Sequence, residues 1–350
     1  MKSMNSGQRL ARRKLLGFFN FEDTKYLPPF NPVNNRASST FCERFGFRAA
    51  FSFLNHHLQC VSLTILFLSF GVTAALAAPT KGLPYGPSQF TLPNEGEPIQ
   101  VYCYKPPTYD NGPLIVVVHG SDRNAEPYRN YAISVAERSN AIIVAPLFDA
   151  ERFTDDRYKR GGGVMKDGKL QPRDKWSFNV IVRLVADVRS KETAPKMPYY
   201  VLGHSGGAQI VTKMAMFMPD EAVRFVAANP GSNVFPDKTI PYPYGLGGLP
   251  PELCSDEVLR RYCATPVTLF LGTGDIYQNA SDGFDFSAEA MHQGPVRLAR
   301  GHNFFNAMRK LAADRSWAFN WRLVETPDIG HSGAKMFHAP EIIDALFGTK

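Results

Sequence analysis

The residues best able to do chemistry lie in Gly203-His204-Ser205-Gly206-Gly207. A serine hydroxyl is a weak nucleophile, and a sharp strand-to-helix turn lifts its Oγ clear of a sheet while aiming the helix N-terminus at a reacting carbonyl. Glycines two residues either side leave room for such a turn. The serine needs a base, and the base needs an orienting carboxylate. Two later positions answer that need: Asp275, closing Gly272-Thr273-Gly274-Asp275, and His331 in Gly330-His331-Ser332-Gly333. Alone, the first is a common turn former and the second an ordinary loop histidine; together they sit where the chemistry requires them. Asp282, Asp285 and Asp328 are competing acids, whereas His292, His302 and His338 fall in or near helix-patterned segments where a structural role suffices. A developing oxyanion also needs backbone donors, and the glycine in His119-Gly120-Ser121 lets an N–H approach, so Ser121 N–H and Gly206 N–H are the expected pair. The side chains of Asp122, Arg123 and Asn124 beside them either shape the mouth of the site or, as the more ordinary role, cap the next helix.

Each of these positions follows an apolar run. Leu114 to Val118 precedes His119, Tyr199 to Leu202 precedes the serine turn, Val267 to Leu271 precedes Asp275, and Phe319 to Val324 precedes His331. After Ser205, Ile210, Met214 and Met218 recur every four residues, the spacing of one buried helix face that stops at Pro219. An antiparallel pair is expected at Gln89 to Leu92 and Ile99 to Tyr104. Strands are expected at Ala141 to Ala145 and Phe225 to Ala228, and helices at Ala125 to Arg138, along the Val180 to Val188 stripe and at Ala334 to Phe347. The alternation predicts an α/β domain with a mainly parallel sheet of about eight strands, helices on both faces, and ligands at the strands' carboxyl ends. Two stretches interrupt it. Phe153 to Arg173 is polar and glycine-rich, as a surface excursion would be. Pro230 to Cys254 holds six prolines and four glycines, and its Tyr242 and Tyr244 are candidates to wall a substrate pocket if the loop is more than a rigid connector.

The formal charge of +7 is not a nucleic-acid signature, because residues 1–77 carry nine Lys/Arg against three Asp/Glu and the remainder is nearly balanced at 30 against 29. The uncharged run Val61 to Leu76 is short of the roughly 20 residues of a spanning helix and ends in Ala75-Leu76-Ala77, an A-x-A cleavage pattern. The expected organisation is therefore a leader over 1–77 and a catalytic domain over 78–350, with export to the periplasm or medium. Membrane contact is expected only through residues 61–76, if that signal is retained. In an oxidising compartment Cys254 and Cys263 are positioned to close a short loop, leaving Cys103 as a small buried thiol. No C-x-x-C pair or His/Cys cluster suggests a metal, and no cofactor motif is present.

From about residue 88 to 348, through His119-Gly120, Gly203 to Gly207, Gly272 to Asp275 and Gly330-His331, the chain resembles an α/β-hydrolase of the serine-esterase branch. It is also similar to the exported bacterial hydrolases grouped with polyhydroxyalkanoate depolymerases and feruloyl esterases. The resemblance implies the α/β-hydrolase fold and a triad in the chain order Ser205, Asp275, His331. It implies hydrolysis of a small or polymeric carboxylic ester through an acyl-enzyme, without cofactor or metal. The chain departs from compact members in the 56 residues from Asp275 to His331, where an added loop (Ile276 to Gln293) and helix (Arg297 to Ala313) are expected. Thioesterase, amidase and acyltransferase chemistry would use the same parts. A catalytically silent binding protein of this fold and an envelope-anchored scaffold are the rivals from other classes.

Overall fold

Short runs of β-branched residues, apolar on both faces, build the centre of the molecule, a computed structural model that describes residues 82–348. The expected leader, its apolar run and Cys42 and Cys60 lie outside the described residues. The strands, in chain order, are β1 (Gly86–Leu92), β2 (Ile99–Lys105), β3 (Leu114–Val118), β4 (Ile142–Pro146), β5 (Met165–Lys166), β6 (Lys169–Leu170), β7 (Tyr199–His204), β8 (Arg224–Ala228), β9 (Val267–Gly272) and β10 (Arg322–Thr326). Eight of them form one sheet in the order β1-β2-β4-β3-β7-β8-β9-β10, while β5 and β6 make a separate small hairpin. The β1–β2 and β2–β4 pairs are antiparallel; every pairing from β4 to β10 is parallel.

Side-chain alternation divides the core into two layers. Val116, Val118, Val201, Phe225, Leu269 and Leu271 face one layer, covered by α3 (Phe178–Lys191), α4 (Gly206–Phe217), α6 (Asp256–Ala264) and α8 (Arg297–Asp314). Ile115, Val117, Leu202, Val226 and Phe270 face the other, covered by α1 (Ala125–Tyr131), α2 (Ile133–Ser139), α9 (Gly333–His338) and α10 (Ile342–Phe347). Two short helices, α5 (Pro251–Cys254) and α7 (Ala288–Gln293), complete the set. Serine, acid, histidine and Ser121 all follow the carboxyl ends of parallel strands, so one edge of the sheet presents them together.

Several expectations needed correction. The helix expected over Ala125 to Arg138 is two helices joined at Ala132, whose N–H is shared between Tyr128 O and Arg129 O at 3.2 Å each, a tightened turn. The last helix breaks before Pro340, which disfavours helical backbone at Ala339 and cannot donate. The final strand begins at Arg322 because Asn320 N–H is held by Cys263 O, off the sheet. Cys254 and Cys263 are free thiols rather than a bridge. Cys254 ends α5 with its Sγ turned onto Leu249 O at 3.6 Å, while Cys263 lies at the far end of α6, a helix about 13 Å long by its rise per residue. The Phe153 to Arg173 stretch is a surface excursion only in its second half, at the exposed β5–β6 hairpin: Phe153, Tyr158 and Val164 are core residues, anchoring a helical turn at Asp156–Arg160 that packs toward the serine edge.

Candidate active site

Ser205 joins β7 to α4 at φ +55°, ψ −117°, a region that non-glycine residues seldom occupy. Its N–H donates to Ala228 O at 3.0 Å and its carbonyl accepts from Gln209 N–H at 3.2 Å, so both neighbours fix the turn. Glycine is required on either side: a Cβ at Gly203 would lie 2.4 Å from Gly207 O, and one at Gly207 only 2.2 Å from Val118 O. The sequence spacing is thus a packing requirement between the turn and the ends of β3 and β7.

The structure brings Ser205, His331 and Asp275 into one line. His331 Nε2 is 2.9 Å from Ser205 Oγ, and His331 Nδ1 is 2.7 Å from Asp275 Oδ2. A carboxylate only accepts, so Nδ1 carries the proton and the Nε2 lone pair faces the serine hydroxyl. Asp275 is buried, and its other oxygen lies 3.6 Å from the Nη1 of Arg297, itself 1% exposed. Arg297 Nη2 donates to Asp282 O at 2.8 Å, and burial pulls the guanidinium below its ordinary value against the pull of Asp275. The competing acids are placed elsewhere: Asp282 and Asp328 are exposed, and Asp285 accepts from Tyr244 Oη at 2.6 Å. His204, between glycine and serine, is buried with Nδ1 2.7 Å from Tyr128 Oη and its ring 4.9 Å from that of His331. Burial, then the positive charge of a protonated His331 and of Arg297, hold it well below the usual imidazole range, so it adds no charge beside His331.

Ser121 and Gly206 come together as expected of paired donors. A Cβ at Gly206 would sit 3.4 Å from Ser121 N, and Gly206 N, at the first helical position, has no intrahelical acceptor. His119 holds this corner. Its Nε2 accepts Phe148 N–H at 3.0 Å, which leaves Nδ1–H to donate to Gly120 O at 2.9 Å. Tyr158 Oη donates to His119 O at 2.6 Å, and burial pushes the imidazole down to about 4, so it is neutral at ordinary pH. The arrangement can accept a hydroxyl proton at His331 and donate two N–H bonds to an adjacent oxygen.

Two cavities meet at Ser205. One, of about 180 Å³, includes Gly120, Tyr128, Tyr131 and His331; the other, of about 250 Å³, includes Ser121, Lys159, Arg160, Gln209, Phe284 and Phe286. Tyr242 and Tyr244 line neither. Tyr242 Oη donates to Gly161 O at 2.7 Å, and Tyr244 supports Asp285 from behind the second cavity. Sequence reading missed Arg297, Lys159, Arg160 and Lys213. The signal for the last was a lysine on the otherwise uncharged α4, where it is buried with Nζ donating to Lys159 O at 3.1 Å. Burial alone pulls its ammonium down to about 7.

Comparison with known proteins follows the same lines. No family model and no curated protein matches the chain. Among solved structures, the chain is 34% identical to poly(aspartic acid) hydrolase-1 of Sphingomonas sp. KT-1, covering 73% of this chain and 97% of that one at a TM-score of 0.68. It is 31% identical to LpqC, a poly(3-hydroxybutyrate) depolymerase of Bordetella parapertussis, over 73% of this chain and 88% of that one at a TM-score of 0.67. With its parallel sheet and strand-end site, the chain belongs to the α/β-hydrolase family and is an enzyme of the hydrolase class.

Proposed function

We propose that this hydrolase cleaves carboxylic esters through an acyl-enzyme. Ser205 Oγ attacks the carbonyl while His331 Nε2 takes its proton, then returns it to the leaving alkoxide; water repeats the cycle on the acyl-enzyme. Asp275 orients the imidazole and stabilises the imidazolium, and Ser121 N–H and Gly206 N–H hold the tetrahedral oxyanion. The single observation that supports this most is the unbroken hydrogen-bonded line, 2.9 and 2.7 Å, from a strained serine turn to a buried carboxylate. The names of the two relatives at 34% and 31% identity favour a polymeric substrate. Because poly(aspartic acid) is joined by amide bonds, the first of them also favours amide cleavage as a second reading. Export is part of the proposal, supported by the run Val61 to Leu76 and its A-x-A end.

A fluorophosphonate is expected to label Ser205 and abolish turnover of short-chain esters, while a chelator leaves turnover intact. Ser205→Ala is expected to remove the label and at least about 10⁴-fold of kcat. Turnover that survives the phosphonate and stops with the chelator would overturn the serine mechanism.

A further inference from the structure

A cavity of about 640 Å³ lies beside the one that holds Ser205. Its walls come from the Asp156–Arg160 turn, the β5–β6 hairpin and Tyr242-Pro243. Arg160 lines both cavities, so a ligand leaving Ser205 in that direction passes its guanidinium. The size is in the range that encloses a drug-sized ligand, more than one acyl unit needs.

Its lining carries more cations than carboxylates. Arg157, Arg160, Lys166 and Lys175 line it against Asp156 and Asp167. Lys175 is neutralised by Glu95 and Asp174, but among the described residues Arg157, Arg160 and Lys166 have no carboxylate within ion-pair distance. Asp285, the acid that shares the second Ser205 cavity with Arg160, has its oxygens engaged by Tyr244 Oη and Ser287 N–H. The backbone that carries Arg157 and Arg160 is pinned from three directions: Lys213 donates to Lys159 O, Ser177 Oγ to Arg157 O, and Tyr242 Oη to Gly161 O. Unpaired guanidinium groups on a fixed concave wall match carboxylates bidentately and concentrate anions near them.

We infer that this cavity is a distal subsite for carboxylate-bearing units of a chain-like substrate. Arg160 meets the unit nearest the scissile bond, and Arg157 and Lys166 meet units beyond it. The inference rests on the serine-hydrolase reading and adds to it the charge of the substrate. A matched pair of probes isolates that charge: oligo(β-malate) and oligo(3-hydroxybutyrate) of equal length share one ester backbone and differ only in carboxylate against methyl.

Binding of each probe to full-length Ser205→Ala protein reads the subsite without turnover. Oligo(β-malate) is expected to bind more tightly, and to lose affinity as salt shortens the screening length below about 10 Å. Adding Arg157→Gln, Arg160→Gln and Lys166→Gln is expected to weaken its binding about 30-fold, from roughly threefold per exposed charge. Lys166→Gln alone, on the exposed hairpin, is expected to weaken it about threefold. Equal affinity for the two probes, or oligo(β-malate) binding indifferent to salt and to both sets of substitutions, would overturn the inference. Failure of the phosphonate to label wild-type Ser205 would overturn the serine reading instead, whatever the binding result.

Discussion

Two segments flank Ser205, and they handle charge in opposite ways. The segment from β9 to β10 supplies Asp275 and Arg297, 2% and 1% exposed, each facing the other in the core. The segment from β4 to α3 supplies Lys159, paired with Asp155 at 2.9 Å, and the exposed Arg157 and Arg160, which among the described residues have no carboxylate within ion-pair distance and whose backbone is tied down. Groups that must hold a proton in one place are buried and partnered, because low dielectric and fixed geometry give a single hydrogen-bonded arrangement. Groups placed to meet a ligand keep their charge free and their main chain rigid, so that little order is lost on binding.

The largest effect that bears on this contrast comes from the buried side. Asp275→Asn is expected to lower kcat/KM for ester hydrolysis by about 10³ to 10⁴-fold, since the imidazole loses both its tautomer and its countercharge. Asp328→Asn, exposed and touching the site only through backbone, is expected to cost less than about tenfold. Steady-state kinetics on one short ester decide between them, and a crippled Asp328→Asn enzyme would mean that the acid is not the buried one.

Arg297 sharpens the comparison. Arg297→Met leaves the buried Asp275 Oδ1 without its ion-pair partner and the Asp282 carbonyl without its donor, so denaturant unfolding is expected to show a loss of about 3 kcal/mol. Its kcat is expected to fall about tenfold with KM little changed, and Arg297→Lys to recover part of it, as a positioning residue would. A loss of stability with kcat untouched would make Arg297 purely structural.

The smallest effect tests the exception on the open side, the buried Lys213. Its ammonium is lowered from 10.5 to about 7 by burial. Between those values the unfolded chain holds a proton that the folded chain lacks, so stability rises with pH from about 7 upward. Below about 7 both states are protonated and the folded state carries the buried charge. Lys213→Met is therefore expected to flatten the stability–pH curve, removing about 2 kcal/mol of the wild-type rise between pH ~6 and ~9. Parallel curves for the two proteins would show that Lys213 stays charged in the fold.

Much of this molecule was legible in its sequence, and the reasons are local. A period of two or 3.6 in hydrophobicity reports which segments are covered. The glycines around Ser205 report a close approach that no side chain survives, as the 2.2 and 2.4 Å contacts bear out. Asp275 and His331 were legible because each comes within a short turn of a strand's end, three and five residues on, and parallel strands end on one side. Those inferences need only neighbours along the chain.

The remainder was decided by which segments cover which. Tyr244 had the right chemistry for a pocket, yet its hydroxyl turns onto Asp285, while Tyr242, its hydroxyl on Gly161 O, walls the 640 Å³ cavity rather than the two at Ser205. Cys254 and Cys263 are close in sequence, but two helices hold the thiols apart. Lys159 and Arg160 belong to the stretch expected to be a surface excursion, but Phe153 and Tyr158, buried beneath them, draw the turn against α4. Arg297, 22 residues beyond Asp275, reaches it only because α8 folds back beneath the end of β9. By itself the sequence determined most strands of the main sheet, the serine turn and the chain order of Ser205, Asp275 and His331, because backbone sterics and hydrophobic periodicity act between neighbours. Only the tertiary structure decided which charges are buried and which face a ligand, because desolvation depends on everything packed around a group.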